Sequence, residues 1–379
     1  MERTYTLHHE TRGTQWLGKP LLIRFRSIAF QADTLKKWRK QEVYHIMRAP
    51  MKKRIYVILG FAISIVLLYF ALKGAHLNEI WSTLRKTNLT LAFAPLIFVG
   101  LAISLCSFRW SRVAGTSVRF KEAFTALLIG MFVNNVLPAR LGEVARGYVL
   151  SRKKKLSLTY SLSTVFLDRF FDLTGLTGLL LFTLIFLPRA SLPPIVFEAI
   201  YIVIGVLVLC IVLIILVSRE SFANHLSRRF LTIERSFVSR LTGRLLEVQE
   251  NLKRIGSPLT IVLFVIMSFC SWLSMSVALY LVIRALHVPV PFACVPFVCA
   301  LLNLAIAIPS SPGYVGLYQF LIVYLLSIFG VSRSEGLTVS VLYHASWYIP
   351  YTVVGFAFSL REHLRIRDIR KLEAESESL

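Results

Sequence analysis

The chain has 379 residues, of which 56% are hydrophobic, with a mean hydropathy of +0.66 and a formal net charge of +23. Several apolar runs are long enough to cross a hydrocarbon core roughly 30 Å thick, and the Lys and Arg residues sit between those runs rather than on one amphipathic surface. This excludes a soluble basic protein built for nucleic acid and leaves an all-α integral membrane protein whose charge is topological.

Residues 1–50 are basic and hold no apolar run long enough for a signal peptide or a spanning helix, so they read as a cytosolic basic extension. From Met51 the sequence MKKRIYVILGFAISIVLLYFAL has a short basic head followed by a spanning run, the form of a bacterial inner-membrane amino terminus. Met51, or nearby Met47, is therefore the expected natural start, with the first fifty residues a mis-assigned extension. Residues 51–361 are expected to form a polytopic transmembrane domain, followed by a charged cytosolic tail over 362–379.

Apolar runs suited to full crossings are 55–72, 88–106, 157–187, 195–217, 258–283 and 336–360. Two further regions, 122–152 and 292–330, are each two short arms, broken near the middle by Pro138 and by Pro309 with Pro312. They are expected to be re-entrant helical hairpins between six spans, the alternative being eight ordinary spanning helices. The segment 219–255 places apolar residues at steps of three and four between basic ones and reads as an amphipathic cytosolic segment lying in the interface.

With the segment before Ile55 inside, the outer loops hold Lys73, Arg85, Lys86, Arg189, Arg284 and Arg333, while most other cations fall on the cytoplasmic side, as the positive-inside bias requires. Both termini are then cytoplasmic, and the hairpins open to opposite faces. Pro138-Ala-Arg-Leu-Gly142 and Pro309-Ser-Ser-Pro-Gly313 share a P-x-x-x-G spacing, each preceded by an asparagine, Asn135 and Asn303. Span, hairpin and span are thus expected to recur as an inverted repeat, the sequence pointer to a transporter site near the midplane.

A backbone break at membrane depth is tolerated only inside protein or beside a water-filled cavity. Pro138 and Pro312 suit the first turn of each returning arm, and Ser310 and Ser311 suit its N-cap. The two tips would then present helix N-termini to an anion. Arg140, Glu143 and Arg146 form a stripe on the first returning arm, flanked by Asn134, Asn135, Gly142 and Gly147, and Glu143 is placed to pair with both arginines. Asp168, Arg169 and Asp172 lie near the middle of the following span. These residues either close an ion network on themselves or exchange a carboxylate for a phosphate, whose geometry matches the arginine fork. Gly313, Tyr314, Tyr318, Gln319, His344 and Trp347 are expected to line the opposite half. The basic run Arg152-Lys153-Lys154-Lys155 is a positive-inside anchor or a lure for anionic headgroups.

NNVLPARLGEVARGYVL (134–150), DRFFD (168–172) and IPSSPGYVGLYQF (308–320) together resemble the flippase-like family typified by the transmembrane domain of lysylphosphatidylglycerol synthases. That resemblance covers residues 52–360. Where the family commonly has Glu this chain has Asp168, and where an acidic residue often follows the second glycine motif it has Tyr318 and Gln319.

The resemblance implies movement of a lipid headgroup between leaflets, with aminoacylated phospholipid as the known cargo and polyprenyl-phosphate-linked sugars proposed for other members. The partners expected are membrane lipids, anionic or polyprenyl-phosphate-linked, in the bacterial inner membrane, without nucleic acid. The soluble synthase domain does not follow the last span, so lysyl-lipid synthesis is not expected. The competing expectations are an integral-membrane transferase acting on a lipid-linked substrate, with Asp168 or Asp172 as base, and a non-catalytic accessory subunit docking through 219–255. The five cysteines, Cys106, Cys210, Cys270, Cys294 and Cys299, lie in apolar segments with no CxxC pair, so no metal, cofactor or disulfide is expected.

Overall fold

A computed structural model describes residues 51–137, 141–187, 193–218, 258–306 and 311–362. Arg140 with Pro138, Ser310 with Pro309, the basic extension, the amphipathic segment 219–255 and the tail after 362 lie outside the described residues. All described regular elements are helical. In chain order they are α1 (Met51–Leu72), α2 (Leu77–Arg85), α3 (Leu89–Phe93), α4 (Pro95–Val113), α5 (Phe120–Val136) and α6 (Gly142–Lys154). There follow α7 (Leu158–Thr183), α8 (Pro194–Ser218), α9 (Pro258–Ala285), α10 (Val295–Ala305), α11 (Leu317–Ser327) and α12 (Arg333–Arg361).

The six expected spans coincide with the long helices α1, α4, α7, α8, α9 and α12. Leu89–Val113 and Pro258–Ala285 are long and apolar enough to cross a membrane. The 26 residues of α7 and the 29 of α12 reach roughly 40 Å at 1.5 Å per residue. They carry buried polar groups inward, Asp168 and Asp172 on α7 and His344 on α12. Large apolar side chains such as Ile97, Phe166, Tyr201, Leu259, Ile349 and Val353 face outward instead. Burying carboxylates while exposing isoleucine inverts the order of a water-soluble protein and suits a hydrocarbon solvent.

The run ending at 106 is longer than its apolar composition indicates: α4 continues through Val113 and takes Arg109 and Trp110 into the bundle, both almost fully buried. Its continuation is sealed by Trp110 Nε1, which donates to Thr164 Oγ1 at 3.2 Å.

Both broken regions fold back on themselves. In the first, Gly130 of α5 lies against the Gly142 carbonyl and Arg146 of α6. A Cβ on Gly142 would collide with the Gly130 carbonyl and the Asn134 side chain, so both glycines set the spacing of this pair. In the second, Phe297 on α10 meets Phe329 just beyond α11 in an edge contact. The arms are shorter than the sequence suggests, since α6 has 13 residues and α10 and α11 have 11 each.

The two pairs open toward opposite ends. At one end Lys154 meets Glu122 at 3.2 Å and Lys153 pairs with Glu362, gathering the start of α5 and the ends of α6 and α12. At the other, Asn88 N donates to the Ala285 carbonyl at 3.0 Å and Arg333 Nη1 to the Lys73 carbonyl at 2.8 Å. These bonds join the start of α3 to the end of α9 and the start of α12 to the end of α1. The tips meet between these ends, where Tyr348 Oη donates to the Asn135 carbonyl at 3.3 Å and the end of α5 packs on a 3-10 turn, Pro312–Tyr314. Packing is reciprocal: α5 lies on α12 and α10 on α7, α6 on α7 and α11 on α12, while α4 and α9 pack on each other.

Candidate functional site

The returning arms begin later than their prolines suggest. α6 starts at Gly142, whose N–H donates to Asn134 Oδ1 at 2.7 Å, so a side chain from the outgoing arm caps the returning one. In the second region Pro312 opens the 3-10 turn, Gly313 (φ +65°) and Gly316 (φ +91°) occupy left-handed backbone, and α11 begins only at Leu317. Ser311 is accordingly no cap of α11. Its hydroxyl donates to the Val315 carbonyl at 2.8 Å and its N–H to Ser64 Oγ at 3.1 Å, while Gln319 Oε1 takes the Gly316 N–H at 2.7 Å.

Behind the first tip a chain of ion pairs runs through the bundle. Arg146 Nη1 donates to Asp168 Oδ2 at 2.9 Å. Asp168 Oδ1 receives Arg109 Nε at 2.9 Å, and Arg109 Nη1 reaches Asp172 Oδ1 at 3.2 Å. Asp172 Oδ2 receives Arg169 Nη1 at 3.0 Å, and Arg169 Nη2 donates to Glu143 Oε1 at 2.9 Å. Asn134 Nδ2 closes the sequence on Glu143 Oε2 at 3.3 Å. Glu143 therefore pairs with Arg169 of the next span, not with Arg146 on its own helix. The reason is reach: Arg146 turns toward α7 and α4, where its guanidinium lies 4.8 Å over the Trp110 ring.

The three cations differ in how fully they are used. Arg109, 1% exposed, spends all its nitrogens on Asp168, Asp172, Ser268 Oγ and the Asp168 carbonyl. The close approach that makes this possible is set by Gly175, where a Cβ would strike Ser268 and the Phe269 backbone of α9. Arg146, 2% exposed, has one carboxylate contact and a 3.4 Å contact to the Val165 carbonyl, and its Nε is buried with no partner. Arg169 Nε is buried and unpartnered as well. Buried donors without acceptors are costly, so these two N–H groups mark where an acceptor would be welcome.

All six charged side chains line one cavity of about 540 Å³. Asn134 and apolar residues of α4, α5 and α7 complete that wall. The same cavity is lined by aromatic side chains: Trp272 from α9, whose Nε1 donates to the Asp172 carbonyl at 3.1 Å, Tyr314 and Tyr318 around the second tip, and Tyr343, Trp347 and Tyr351 from α12, with Asn303 among them. Of the residues singled out in the sequence, Asn134, Glu143, Arg146, Asp168, Arg169, Asp172, Asn303, Tyr314, Tyr318 and Trp347 come together here. Asn135 instead ties the tip to α12 by donating to Thr352 Oγ1 at 2.8 Å, and Gln319 contacts His344 Nδ1 at 3.0 Å outside the cavity lining. Arg109, Trp272, Tyr343 and Tyr351 are among the lining residues that sequence reasoning did not reach. Among the described residues no group of three His, Cys, Asp or Glu is placed to hold a metal ion.

An apolar-coated helical bundle enclosing a charged cavity between two oppositely opening helix pairs belongs to a class of polytopic membrane proteins with an internal polar site. The family model of the lysylphosphatidylglycerol synthase TM region matches residues 57–355, and the chain belongs to that family. It is similar to a UPF0104 membrane protein of Methanocaldococcus jannaschii, 25% identical over 59% of this chain and 92% of the relative. A UPF0104 membrane protein of Methanothermobacter thermautotrophicus is 26% identical over 81% of this chain and 93% of its own length. The glycosyltransferase AglD of Haloferax volcanii is 24% identical over 79% of this chain, a match that spans 53% of that protein.

Proposed function

We propose that the protein translocates a phosphate-bearing lipid, either a phospholipid or a polyprenyl-phosphate-linked glycan, across a bacterial inner membrane. The observation that carries this is the pair of incompletely used arginines, Arg146 and Arg169, which line the cavity and each leave a buried Nε without a partner. A phosphate oxygen is the acceptor they lack, and the arginine fork suits it. Arg140, two residues before Gly142 in sequence, is assigned to the same headgroup.

In this reading α4 to α7 and α9 to α12 are inverted repeats, and the helix pairs are re-entrant. The reciprocal packing supports that assignment. Alternating access is a rocking of one repeat against the other about the joined tips, with both termini cytoplasmic. The Haloferax relative is named a glycosyltransferase, which favours the glycan-bearing of the two cargoes. A transferase with Asp168 as base fits less well, because both of its oxygens already face guanidinium groups.

Acyl-labelled phospholipids in proteoliposomes test the reading through their accessibility to a membrane-impermeant quencher. Wild type is expected to equilibrate label between leaflets, and Arg146→Gln to lose at least roughly tenfold in rate, one charge-assisted hydrogen bond's worth. Equal rates for wild type, variant and empty vesicles, with phospholipids and with polyprenyl phosphate glycans, would refute it.

A further inference from the structure

His344 takes no part in the ion network and lies outside the cavity lining, yet its neighbours fix where its proton sits. Gln319 Oε1 takes the Gly316 N–H at 2.7 Å, and a backbone N–H can only donate. The other end of that amide, Nε2, is therefore a donor, and it faces His344 Nδ1 at 3.0 Å. Nδ1 must then accept, so the ring proton is on Nε2, which is buried without a hydrogen-bond partner among the described residues.

A second proton has no place in this arrangement. On Nδ1 it would point at the Gln319 NH2, donor against donor. Turning the amide round would satisfy Nδ1–H but set the NH2 against the Gly316 N–H instead, so one bond of Gln319 has to break. Gly316 is where the break acts: it caps α11 in left-handed backbone, φ +91°, and a Cβ there would strike the Ser64 carbonyl of α1. Ser64 Oγ also takes the Ser311 N–H at 3.1 Å, so α1 holds the second tip at two points beside this joint.

The ring's surroundings supply no opposite charge. Tyr318 and Gln319 face it from α11, and Trp347 and Tyr348 from its own helix, with the rings of Tyr318, Trp347 and Tyr348 at 4.4, 4.9 and 5.2 Å between centroids. The Gly313 backbone lies beside it. Behind these, Tyr343 contacts Tyr318 and Cys299 of α10, and Asn135 of α5 contacts Tyr348. None of them is Asp, Glu, Lys or Arg, so no carboxylate steadies an imidazolium while the tip is seated. Tyr318 and Trp347 also line the cavity, which leaves His344 one side chain away from a polar space roomy enough for water.

We propose that His344 is a proton-binding site and that a proton taken there frees the second tip from α1, coupling translocation to the proton gradient. Nδ1 takes the proton from cavity water when the tip is free and must return it before Gln319 can bond Gly316 again. The neutral ring favours the seated tip and the imidazolium the freed one, so acid shifts the population toward the freed tip. The release of the tip stands by itself, and the coupling rests on the translocation reading.

Two measurements separate them. In a background with the five cysteines replaced, a bimane on Val315→Cys, whose native side chain is 45% exposed beside Gly316, reports the tip without any transport. Its emission in proteoliposomes is expected to shift between about pH 8 and about pH 5, the range that brackets an ordinary imidazole. His344→Gln should abolish the shift. Gln319→Glu should abolish it with the histidine intact, because a carboxylate accepts from Gly316 and from Nδ1–H together. A pH-independent emission in wild type, or a shift that survives in either variant, overturns the proton site.

The second measurement imposes a pH difference of about one unit across vesicles containing acyl-labelled phosphatidylglycerol and reads its leaflet ratio with an impermeant quencher. One proton per cycle sustains a ratio of up to about tenfold. Wild type is expected to hold about a fivefold to tenfold asymmetry that a protonophore collapses, and His344→Gln to lose it. An even distribution in wild type, reached faster than in empty vesicles, overturns the coupling and leaves translocation standing. No movement of phosphatidylglycerol or of polyprenyl phosphate glycans, with or without the gradient, removes translocation and coupling together, and the bimane shift still decides the proton site.

Discussion

Arg109 decides what the other two arginines are able to do. By holding Asp168 and Asp172 from one fully buried guanidinium, it neutralises the carboxylates that would otherwise take every donor of Arg146 and Arg169. Arg109→Gln leaves two buried carboxylates short of a cation. We expect it to cost about 3–5 kcal/mol, the usual penalty for removing one partner of a buried pair, read as a lowered unfolding midpoint in detergent. Arg109→Lys should recover only part, because one ammonium cannot serve both aspartates and Ser268 at once. Asp172→Asn added to Arg109→Gln should recover some stability by removing an orphaned charge. A loss below about 1 kcal/mol for Arg109→Gln would deny Arg109 this role.

The carboxylates and two of the cations of this network were legible in NNVLPARLGEVARGYVL and DRFFD, because charge inside an apolar stretch is conspicuous. Arg109 was not, since the apolar run ends at Cys106 and a cation just beyond it passes for an inside-loop residue. The signal that would have found it is the absence of any helix-stop residue before Gly115, which has φ +99°.

At the level of elements, both helix pairs depend on close backbone approach. Gly142→Ala would push its Cβ into the Gly130 carbonyl and into Asn134, the residue that caps α6. The expected loss is about 1–3 kcal/mol from overpacking, together with transport, because the cap and the Glu143 contact move as one. Gly316→Ala faces a left-handed φ of +91° and the Ser64 backbone of α1, and should lower the unfolding midpoint at least as far. Unchanged midpoints in both variants would show that the tips tolerate separation.

The prolines between short apolar arms, Pro138 and Pro309 with Pro312, marked both breaks. They did not disclose where the returning helices start, because that depends on partners distant in sequence. Asn134 supplies the cap for α6, and Gln319 fixes Gly316 only once the chain has turned through two left-handed glycines.

At the scale of the whole molecule, the expected opposite openings rest on the order of spans and hairpins together with the positive-inside bias, and contacts between remote segments separate two ends of the bundle. Lys121 is exposed at the end where Lys154 meets Glu122, and Arg333 is exposed at the end where it bonds the Lys73 carbonyl. The amphipathic segment 219–255 and the basic extension add nothing to this division, since both lie outside the described residues.

In a background with the five cysteines replaced, Lys121→Cys and Arg333→Cys should react with an impermeant maleimide from opposite faces of oriented vesicles. Depth separates a re-entrant tip from a full crossing. Val136 ends α5 with its side chain exposed, one residue from Asn135, whose carbonyl is bonded by Tyr348 midway along α12. If α12 spans the bilayer, that tip lies near its centre. A bimane on Val136→Cys should then be quenched most strongly by lipids brominated near the acyl-chain ends, and one on Phe120→Cys by lipids brominated near the headgroup. Headgroup-level quenching at Val136 would instead require α5 to cross completely. The helix pairs would then not be re-entrant, and the joined tips could not serve as the pivot on which alternating access depends.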